Sequence, residues 1–154
     1  MARAAKGNGR IRVRRVRAAD VAAIVALDAG VTRLAKPGYW NDVFRRYGRT
    51  RLHERFFLVA EDGQRVLGFI IGEVRAWEFG SAPCGWIFAL SVDPNARLRG
   101  VGRIMFEAIT NEFRQAGITK MRTVVARTDR LPMLFFRSEG MMAGPYIQLE
   151  KEVT

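Results

Sequence analysis

Cysteine and histidine are nearly absent from this sequence of 154 residues, which contains only Cys84 and His53. One cysteine excludes an intramolecular disulfide, and the two residues together are too few for a cysteine–histidine metal site. No apolar run approaches the roughly 18 residues of a membrane-spanning helix, and no apolar segment follows the basic amino terminus as in a signal peptide. We therefore expect a cytoplasmic protein with no bound metal and no membrane partner.

Positive charge is concentrated at the amino terminus. The net charge is +11, and seven basic residues precede the first acidic one: Arg3, Lys6, Arg10, Arg12, Arg14, Arg15 and Arg17. The rest of the chain has 19 basic and 15 acidic residues, a net charge of only +4. We expect residues 1–9 to form a disordered basic tail. The alternative is an electrostatic arm for RNA, DNA or an acidic partner, so nucleic acid stays an open but less favoured partner.

Hydrophobic periodicity predicts one α+β domain over residues 10–154, with the element order β-α-α-β-β-β-α-β-α-β. Strands are expected at 11–16, 55–60, 66–74, 85–92, 120–126 and 146–150. Helices are expected from Asp20 as N-cap to Gly30, at 39–47, from Gly100 to Gly117, and from Asp129 as N-cap to Phe136. The unit 85–126 predicts a parallel strand pair with a right-handed helical crossover, hence a central mixed sheet flanked by helices.

The segment Arg97-Leu98-Arg99-Gly100-Val101-Gly102 lies between a buried-strand pattern and an amphipathic-helix pattern. A loop entering a helix exposes unpaired backbone N–H groups, and the helix dipole favours an anion there. The two glycines allow a phosphate to approach the backbone, and Arg97, Arg99 and Arg103 add positive charge. The pattern predicts a site for a pyrophosphate or a similar dianion.

Two other glycine motifs do not fit this loop. A dinucleotide-binding fingerprint needs a third glycine where this chain has Met105. A P-loop needs Gly-Lys-Ser/Thr, whereas Gly102 is followed by Arg103 and Ile104. Neither dinucleotide binding nor ATP hydrolysis is indicated.

Residues 85–141 resemble the acetyl-CoA-binding region of the GNAT superfamily of N-acetyltransferases. Arg97, Gly100 and Gly102 match the three defining positions of its Gln/Arg-x-x-Gly-x-Gly/Ala motif. The stretch 129–141 resembles the family's Asn-x-x-Ala-x-x-Leu-Tyr-x-x-x-Gly-Phe segment, and 147–151 resembles its closing strand. The resemblance extends from residue 11 onward and implies a GNAT-like domain.

The resemblance also implies acetyl-CoA as co-substrate. Backbone groups of residues 99–103 would hold its pyrophosphate, and the main chain of Leu90 and Val92 would bond its pantetheine arm much as an added strand does. The cofactor-binding residues expected by this likeness are Leu90, Ser91, Val92, Arg97, Leu98, Arg99, Gly100, Val101, Gly102, Arg103, Asp129 and Phe136.

The implied activity is transfer of an acetyl group from acetyl-CoA to a primary amine of a small molecule or protein, by direct attack in a ternary complex. The basic excess keeps open the acetylation of an aminoacyl group on RNA. Departures from the family at its usual proton-transfer positions keep open a module that binds acyl-CoA or nucleic acid without turnover. The chain is expected to be a monomer or a homodimer.

Proton transfer is assigned to three candidates. An alkylammonium of pKa about 10.4 is neutral in only about one molecule in 2,500 at pH 7, so a base is useful. Glu73, in the predicted strand 66–74, is the first candidate base and Glu78 the second, with a solvated or ion-paired carboxylate as the alternative for each. Phe136 stands where many family members have a tyrosine acid, which makes Tyr146 the candidate acid, or else a half-buried structural tyrosine. Positioning alone, with water carrying protons, is a further alternative.

The acceptor site is expected in the first two helices and the loop between them. Tyr39, Trp40 and Phe44 offer aromatic surface there, although core packing explains at least two of them. A basic cluster comes next along the chain, consisting of Arg45, Arg46, Arg49, Arg51 and Arg55. A solvated helix face is the usual reason for such a cluster, and an acidic substrate or RNA would also suit it.

Overall fold

The computed structural model of the chain describes residues 9–49 and 54–154. They form two compact units, the first ending at Val124 and the second running from Val125 to Thr154. No helix of these ranges is long and apolar enough to cross a membrane. Residues 1–8 of the predicted tail, and His53, lie outside the described residues. The division into a tail and one domain stays a prediction.

Five strands and four helices follow one another in the order β1-α1-α2-β2-β3-β4-α3-β5-α4 along the described residues. The strands are β1 Arg12–Arg15, β2 Arg55–Asp62, β3 Arg65–Arg75, β4 Cys84–Val92 and β5 Met121–Thr123. The helices are α1 Val21–Thr32, α2 Pro37–Val43, α3 Val101–Gln115 and α4 Arg130–Ser138. The first nine elements of the predicted order are confirmed.

The strands form one mixed sheet in the spatial order β1-β2-β3-β4-β5. Neighbours from β1 to β4 are antiparallel, and β5 runs parallel to β4. The helix α3 connects this parallel pair, as a parallel connection requires. The predicted mixed sheet is confirmed.

One face of the sheet is covered by α1 and α2. Phe57 and Val59 on β2, like Phe69 and Ile71 on β3, are two residues apart and therefore point to the same face. Together with side chains from the helices they form a buried cluster, which consists of Val16, Val21, Ile24, Trp40, Val43, Phe57, Val59, Phe69 and Ile71.

The helix α3 covers the opposite face, and glycines on the strands allow its close approach. A Cβ atom added to Gly68 would lie 2.9 Å from Met105 Cε, and one added to Gly72 or Gly85 would lie 2.8 Å from the ring of Phe113. Real Cβ atoms essentially never come so close to other atoms. The apolar stripe of α3 therefore packs directly onto the backbone of β3 and β4.

Asp20 stands at the N-cap position of α1, as predicted, but its side chain does not cap the helix. Asp20 has helical backbone angles at the end of a short turn, Ala18–Asp20, and makes no side-chain cap to α1. Its carboxylate turns back instead, accepting a hydrogen bond from the Arg17 N–H at 2.7 Å and two from the Arg14 guanidinium at 2.7 and 2.9 Å. A buried carboxylate gains more from a charged partner than from a neutral cap, which accounts for the difference.

The predicted end of α1 at Gly30 is wrong. The helix continues to Thr32, and Arg33 takes the left-handed conformation, with φ of 63°, that usually marks a helix end. The Arg33 N–H bonds the Ala29 carbonyl at 2.9 Å. Glycine in a helix interior costs only about 1 kcal/mol, so Gly30 does not stop a helix whose next turn can still form.

The predicted last strand, 146–150, is not present among the described residues. The alternation of Ile147 and Leu149 with polar residues is typical of a strand, yet these two side chains are 80% and 85% exposed. A strand needs a hydrogen-bonded neighbour, and the described sheet ends at β5 without this segment. The strand β5 is also shorter than the predicted 120–126, because its ladder with β4 contains three residue pairs.

Candidate active site

The turn between β4 and α3 begins with a capping carboxylate. Asp93 accepts a hydrogen bond from the Asn95 N–H at 2.9 Å and so starts the short helical turn Pro94–Arg99. Its other oxygen accepts from Arg65 Nη2 at 2.6 Å. The Asn95 N–H, and then Arg65, hold the pKa of Asp93 below its ordinary value of 3.8. The carboxylate therefore stays ionised at neutral pH and fixes the direction of the turn.

The glycine loop presents backbone donors at the start of α3. Gly100 has φ of 73°, the left-handed region that glycine adopts without strain. The first intrahelical bond of α3 runs from the Ile104 N–H to the Gly100 carbonyl at 3.1 Å. The N–H groups of residues 101–103 precede it and, by helix geometry, have no acceptor within the helix. Val101 is fully buried and anchors this end of α3, so the donors have a fixed direction.

The arginines around the loop differ in what they contact. Arg99 Nη2 donates to Asp62 Oδ2 at 2.8 Å and to the Gly9 carbonyl at 3.1 Å. The Arg99 side chain is thus paired with Asp62, the last residue of β2, and its contribution of positive charge to the loop stays a prediction. Arg97 and Arg103 are exposed beside the same loop. Leu98 is fully exposed and contributes main chain only.

A cavity of about 370 Å³ opens between the helical layer and β4. Strand residues form one wall, namely Phe69, Phe88, Ala89, Leu90 and Ser91. Residues of α1, α2 and their connection form the other, namely Asp28, Val31, Lys36, Tyr39 and Trp40. Two predicted cofactor-binding residues, Leu90 and Ser91, thus line one cavity with two predicted acceptor residues. Val92, the second residue predicted to bond the pantetheine arm, pairs with Gly68 and does not line the cavity.

The three predicted acceptor aromatics have different positions. Tyr39 is half-exposed and lines the cavity edge-on to Trp40, with 5.0 Å between the ring centroids. Trp40 is buried, packs edge-on to Phe69 at 5.0 Å, and also lines the cavity. Phe44 packs against the buried cluster and does not line the cavity, so core packing explains it.

An ion pair lies inside this cavity. Lys36 Nζ is 2.9 Å from Asp28 Oδ2, and the same oxygen accepts a hydrogen bond from Trp40 Nε1 at 3.0 Å. The Lys36 ammonium also lies over the Tyr39 ring, 5.8 Å from its centroid. Asp28 was not a candidate in the sequence, where it reads as part of a helix end.

A β-bulge shapes the strand wall. The pairing of β3 with β4 passes from Ile71 opposite Ala89 to Gly72 opposite Ile87, which leaves Phe88 as an extra residue. A bulge changes the direction of the side chain it contains and interrupts the ladder of backbone hydrogen bonds. Phe88 is accordingly exposed on the cavity side although β4 is a central strand.

Glu73 contacts Tyr47, whose ring packs on Phe88; the sequence did not single out this tyrosine. The Tyr47 hydroxyl donates to Glu73 Oε2 at 3.2 Å, and the Tyr47 ring packs edge-on to Phe88 at 5.0 Å. Arg55 lies 3.9 Å from the same Glu73 oxygen and 5.0 Å from the Tyr47 ring centroid. Burial, and then the charge of Glu73, raise the pKa of Tyr47 above 10.0. The phenol therefore stays protonated at neutral pH.

The position of Tyr47 results from an unusual local helix. Residues Phe44–Arg49 continue α2 as a wide π-helical turn, a form that is rare and frequent at functional sites. No spacing rule predicts this turn from the sequence. Tyr47 is the last residue of the predicted helix 39–47, and nothing else in the sequence pattern indicates a functional role for it.

Glu78, the second candidate base, is an ion-paired surface residue. Its carboxylate is 2.7 Å from Arg75 Nη2 and about half exposed. It belongs to the short turn Glu78–Gly80 after β3 and does not line the cavity. The ion-pair alternative given for Glu78 matches this geometry.

Three predicted site residues belong to the second unit. Asp129 stands at the N-cap position of α4 but its side chain makes no cap hydrogen bond. Phe136 is buried on α4, with its ring 5.3 Å from that of Phe135. Tyr146 is about half exposed in the segment after α4. Their assignment to cofactor and proton transfer stays a prediction.

The glycine loop and the cavity agree with a family match that covers most of the chain. The model of the acetyltransferase (GNAT) family matches residues 23–136. This chain belongs to the acetyltransferase (GNAT) family. Family membership confirms the enzyme class predicted from the sequence, and acetyl-CoA is the donor that this class uses.

Individual relatives agree with that assignment. The GNAT chain is 30% identical over 103 residues to a mycothiol acetyltransferase of Kocuria rhizophila, which is 65% of this chain and 34% of the relative. It therefore spans about a third of the length of that relative. Among solved structures, it resembles the aminoglycoside N-acetyltransferase AAC(6')-Iy in complex with CoA, with a TM-score of 0.82 and 12% identity over 97% of this chain and 99% of the other.

A second solved structure gives the same result. The aminoglycoside 6'-N-acetyltransferase AAC(6')-Ih of Acinetobacter baumannii has a TM-score of 0.78 and 13% identity, over 94% of this GNAT chain and all of the other. At such identities the likeness establishes the fold. The predicted GNAT fold is thereby confirmed.

Proposed function

We propose that this GNAT protein transfers the acetyl group of acetyl-CoA to a primary amine by direct attack in a ternary complex. The observation that carries the proposal is the shared cavity: Leu90 and Ser91, on the strand leading to the glycine loop, and Tyr39 and Trp40, on α2, line one space of about 370 Å³. A donor and an acceptor bound at these residues would share one space without a rearrangement of the first unit.

On the donor side, the pyrophosphate binds the N–H groups of residues 101–103 at the positive end of the α3 dipole. Arg97 and Arg103 are the exposed cations that add charge, because Arg99 is paired with Asp62. The pantetheine arm runs along β4 toward the cavity and bonds to the main chain of Leu90. The thioester then reaches the bulge at Phe88.

At the bulge, the interrupted ladder supplies a polar group for the reaction. As the amine attacks, the carbonyl oxygen of the thioester becomes negative and needs a fixed donor. A backbone N–H of the segment Phe88–Leu90 that the bulge withdraws from the ladder is suited to that position. The C–N bond forms, the C–S bond breaks, and CoA leaves as a thiolate that then takes up a proton.

The proton of the attacking amine passes through water to Glu73. Glu73 does not line the cavity, and it lies behind Phe88 with Tyr47 hydrogen-bonded to it. Tyr47 holds the carboxylate in place and, as a protonated phenol, is also suited to return a proton to the thiolate. Arg55 Nε lies 3.9 Å from the same carboxylate oxygen and balances its charge. Tyr47 thereby replaces Tyr146 as the proposed acid.

The acceptor class is inferred from this geometry and from the relatives. Mycothiol acetyltransferase and the two aminoglycoside N-acetyltransferases are named for small acceptors. The cavity has room for a small molecule or for a single side chain of a protein, and its aromatic wall favours the apolar stem of an amine.

The test is release of CoA thiol from acetyl-CoA with a panel of small amines, lysine peptides and aminoacyl-RNA. Gly100→Glu places bulk and negative charge at the pyrophosphate loop, so we expect it to abolish CoA binding in calorimetry. Gly117→Glu is a matched control, because Gly117 also has a positive φ, 79°, and open space around it, at the opposite end of α3. Equal CoA affinity in both variants would contradict the proposed donor site.

The same panel separates the alternatives. Turnover with aminoacyl-RNA and with no other amine would show that the acceptor is an aminoacyl group on RNA. CoA binding that is lost in Gly100→Glu, with no thiol release for any acceptor, would indicate a binding module. Turnover with small amines or peptides supports the proposed function.

A further inference from the structure

The cavity holds an ammonium of its own. Lys36 Nζ is bound by Asp28 at 2.9 Å and lies over the ring of Tyr39 at 5.8 Å. A carboxylate together with an aromatic face is the combination that binds alkylammonium groups. Of the described residues that line the cavity, Asp28 is the only carboxylate and Lys36 the only cation. The Lys36 ammonium therefore occupies a position in the cavity where an alkylammonium group is bound by a carboxylate and an aromatic ring.

The two partners of the pair are not equally fixed. The Asp28 side chain is 13% exposed, and its Oδ2 also accepts the Trp40 Nε1 hydrogen bond at 3.0 Å. The Lys36 side chain is 33% exposed and has a flexible four-carbon stem that can turn into solvent. Lys36 can leave, whereas Asp28 would then be a mostly buried and unpaired charge. Such a charge is costly until another cation replaces the lost one.

We propose that Asp28 binds a second, non-reacting ammonium of the acceptor, which displaces Lys36, so that the preferred acceptor is a diamine or polyamine. This inference rests on the proposed acetyl transfer. The reacting nitrogen must be neutral at the thioester, and the bound nitrogen must be charged at Asp28. One acceptor can satisfy both demands only with two amino groups, and the positive charge of the bound one lowers the pKa of the other.

The experiment compares 1,4-diaminobutane with butylamine, which have the same carbon chain, and extends to diamines of two to eight carbons. We expect kcat/KM to be about 10- to 100-fold higher for the best diamine than for the monoamine of equal length, the range of one charged hydrogen bond. A single optimum in chain length is expected, because the distance from Asp28 to the thioester is fixed.

Three variants test the assignment. Asp28→Asn keeps an oxygen for Trp40 Nε1 but loses the charge, and we expect it to lower kcat/KM for the diamine about 10- to 100-fold while butylamine changes by less than about 3-fold. Lys36→Met removes the internal competitor and is expected to lower KM for the diamine. Asp42→Asn is the matched control, since Asp42 is a half-exposed carboxylate on α2 that pairs with Arg46 outside the cavity.

Calorimetry with CoA bound measures diamine binding without any chemistry. Diamine binding that is lost in Asp28→Asn supports the ammonium site, whether or not thiol is released. The absence of thiol release, together with such binding, would overturn only the proposed acetyl transfer. Equal turnover of diamine and butylamine, or the same diamine preference in Asp28→Asn as in the parent, would overturn this inference and leave the acetyl transfer standing. A rise in KM for the diamine in Lys36→Met would also contradict it.

Discussion

Tyr47 and Glu73 are joined by a hydrogen bond of 3.2 Å that connects the π-helical turn after α2 to strand β3. The bond places a phenol and a carboxyl group side by side, and the Tyr47 ring packs on Phe88, the bulged residue of the cavity wall. In the proposed function Glu73 remains the base predicted from the sequence, and Tyr47 takes the acid role for which Tyr146 was the candidate.

Removal of the Tyr47 hydroxyl tests its part in proton transfer. We expect Tyr47→Phe to lower kcat about 10- to 100-fold, with KM for acetyl-CoA nearly unchanged, because the phenyl ring still packs on Phe88. Steady-state kinetics with the best amine measures both constants. Tyr146→Phe is the comparison, and a loss confined to that variant would return the acid role to Tyr146.

The pKa of Tyr47 tests its coupling to Glu73 without any turnover. Burial and the negative charge of Glu73 raise this pKa above 10.0, and Arg55 and Arg46 oppose that rise. Glu73→Gln removes the negative charge, so we expect the phenol to ionise at lower pH in the variant. The ultraviolet absorbance of tyrosinate tracks the titration, and the difference between the parent and Tyr47→Phe identifies the signal. An unchanged titration in Glu73→Gln would contradict the coupling.

The buried pair of Arg14 and Asp20 should make stability depend on acid pH. Burial opposes ionisation of Asp20, but hydrogen bonds from Arg14 and the Arg17 N–H outweigh it and hold its pKa below 3.8. A carboxyl whose pKa is lower in the folded state stabilises the fold above pH 3.8, and that contribution is lost as the pH falls through the folded pKa. The side chains are only 11% and 7% exposed.

We therefore expect Asp20→Ala to lower the free energy of unfolding at pH 7 by about 1.5 to 3 kcal/mol, because Arg14 loses one of its two carboxylate partners and keeps Glu61 at 2.8 Å. The difference from the parent should shrink below pH 3.8. Urea unfolding at several pH values measures both effects. Asp42→Ala, which breaks an exposed pair, is expected to cost less than about 1 kcal/mol. A similar cost for the two variants would show that burial does not matter here.

Replacing Gly30 with alanine tests whether α1 continues through this residue. The effect on stability should have opposite signs for a glycine inside a helix and for one that ends it. Gly30 has open space around it and helical neighbours on both sides. We expect Gly30→Ala to raise the free energy of unfolding by about 0.5 to 1 kcal/mol, as alanine does in a helix interior. If Gly30 ended the helix in the left-handed region, alanine would destabilise the protein instead. Thermal or urea unfolding distinguishes the two signs.

Much of the fold can be predicted from local sequence patterns. The run 85–92 and the helical spacing after Gly100 predicted β4 and α3 within two residues, because both elements bury a continuous apolar surface. The end of α1 and the segment 146–150 were predicted wrongly, since a helix end depends on the next residues of the chain and a strand depends on a neighbouring strand. Gly30 tolerates a further turn, and the alternation of Ile147 and Leu149 does not supply a neighbouring strand.

The donor loop was easier to predict than the rest of the site. In the proposed function Gly100 and Gly102 act through the backbone, so the sequence alone is enough to suggest their role. The roles proposed for Asp28 and Tyr47 depend on side chains that meet their partners, Lys36 and Glu73, only after folding. Arg99 shows the same limit, because its pairing with Asp62, which is 37 residues away, forms only after folding.

The extra residue in β4 has a consequence for comparing and engineering these chains. Phe88 has no partner on β3. If odd-numbered residues of β4 point to one face of the sheet after Phe88, even-numbered residues point to that face before it. An alignment that passes through β4 without a gap against an unbulged strand assigns Leu90 and Ser91 to the wrong faces. Deletion of Phe88 would restore a regular ladder of hydrogen bonds between β3 and β4. Ile87 and Ala89 pair with adjacent residues of β3 and already point to opposite faces, as neighbours in a regular strand do. The loss of this one residue would therefore remove the bulge and leave the faces of all the β4 side chains that follow it unchanged.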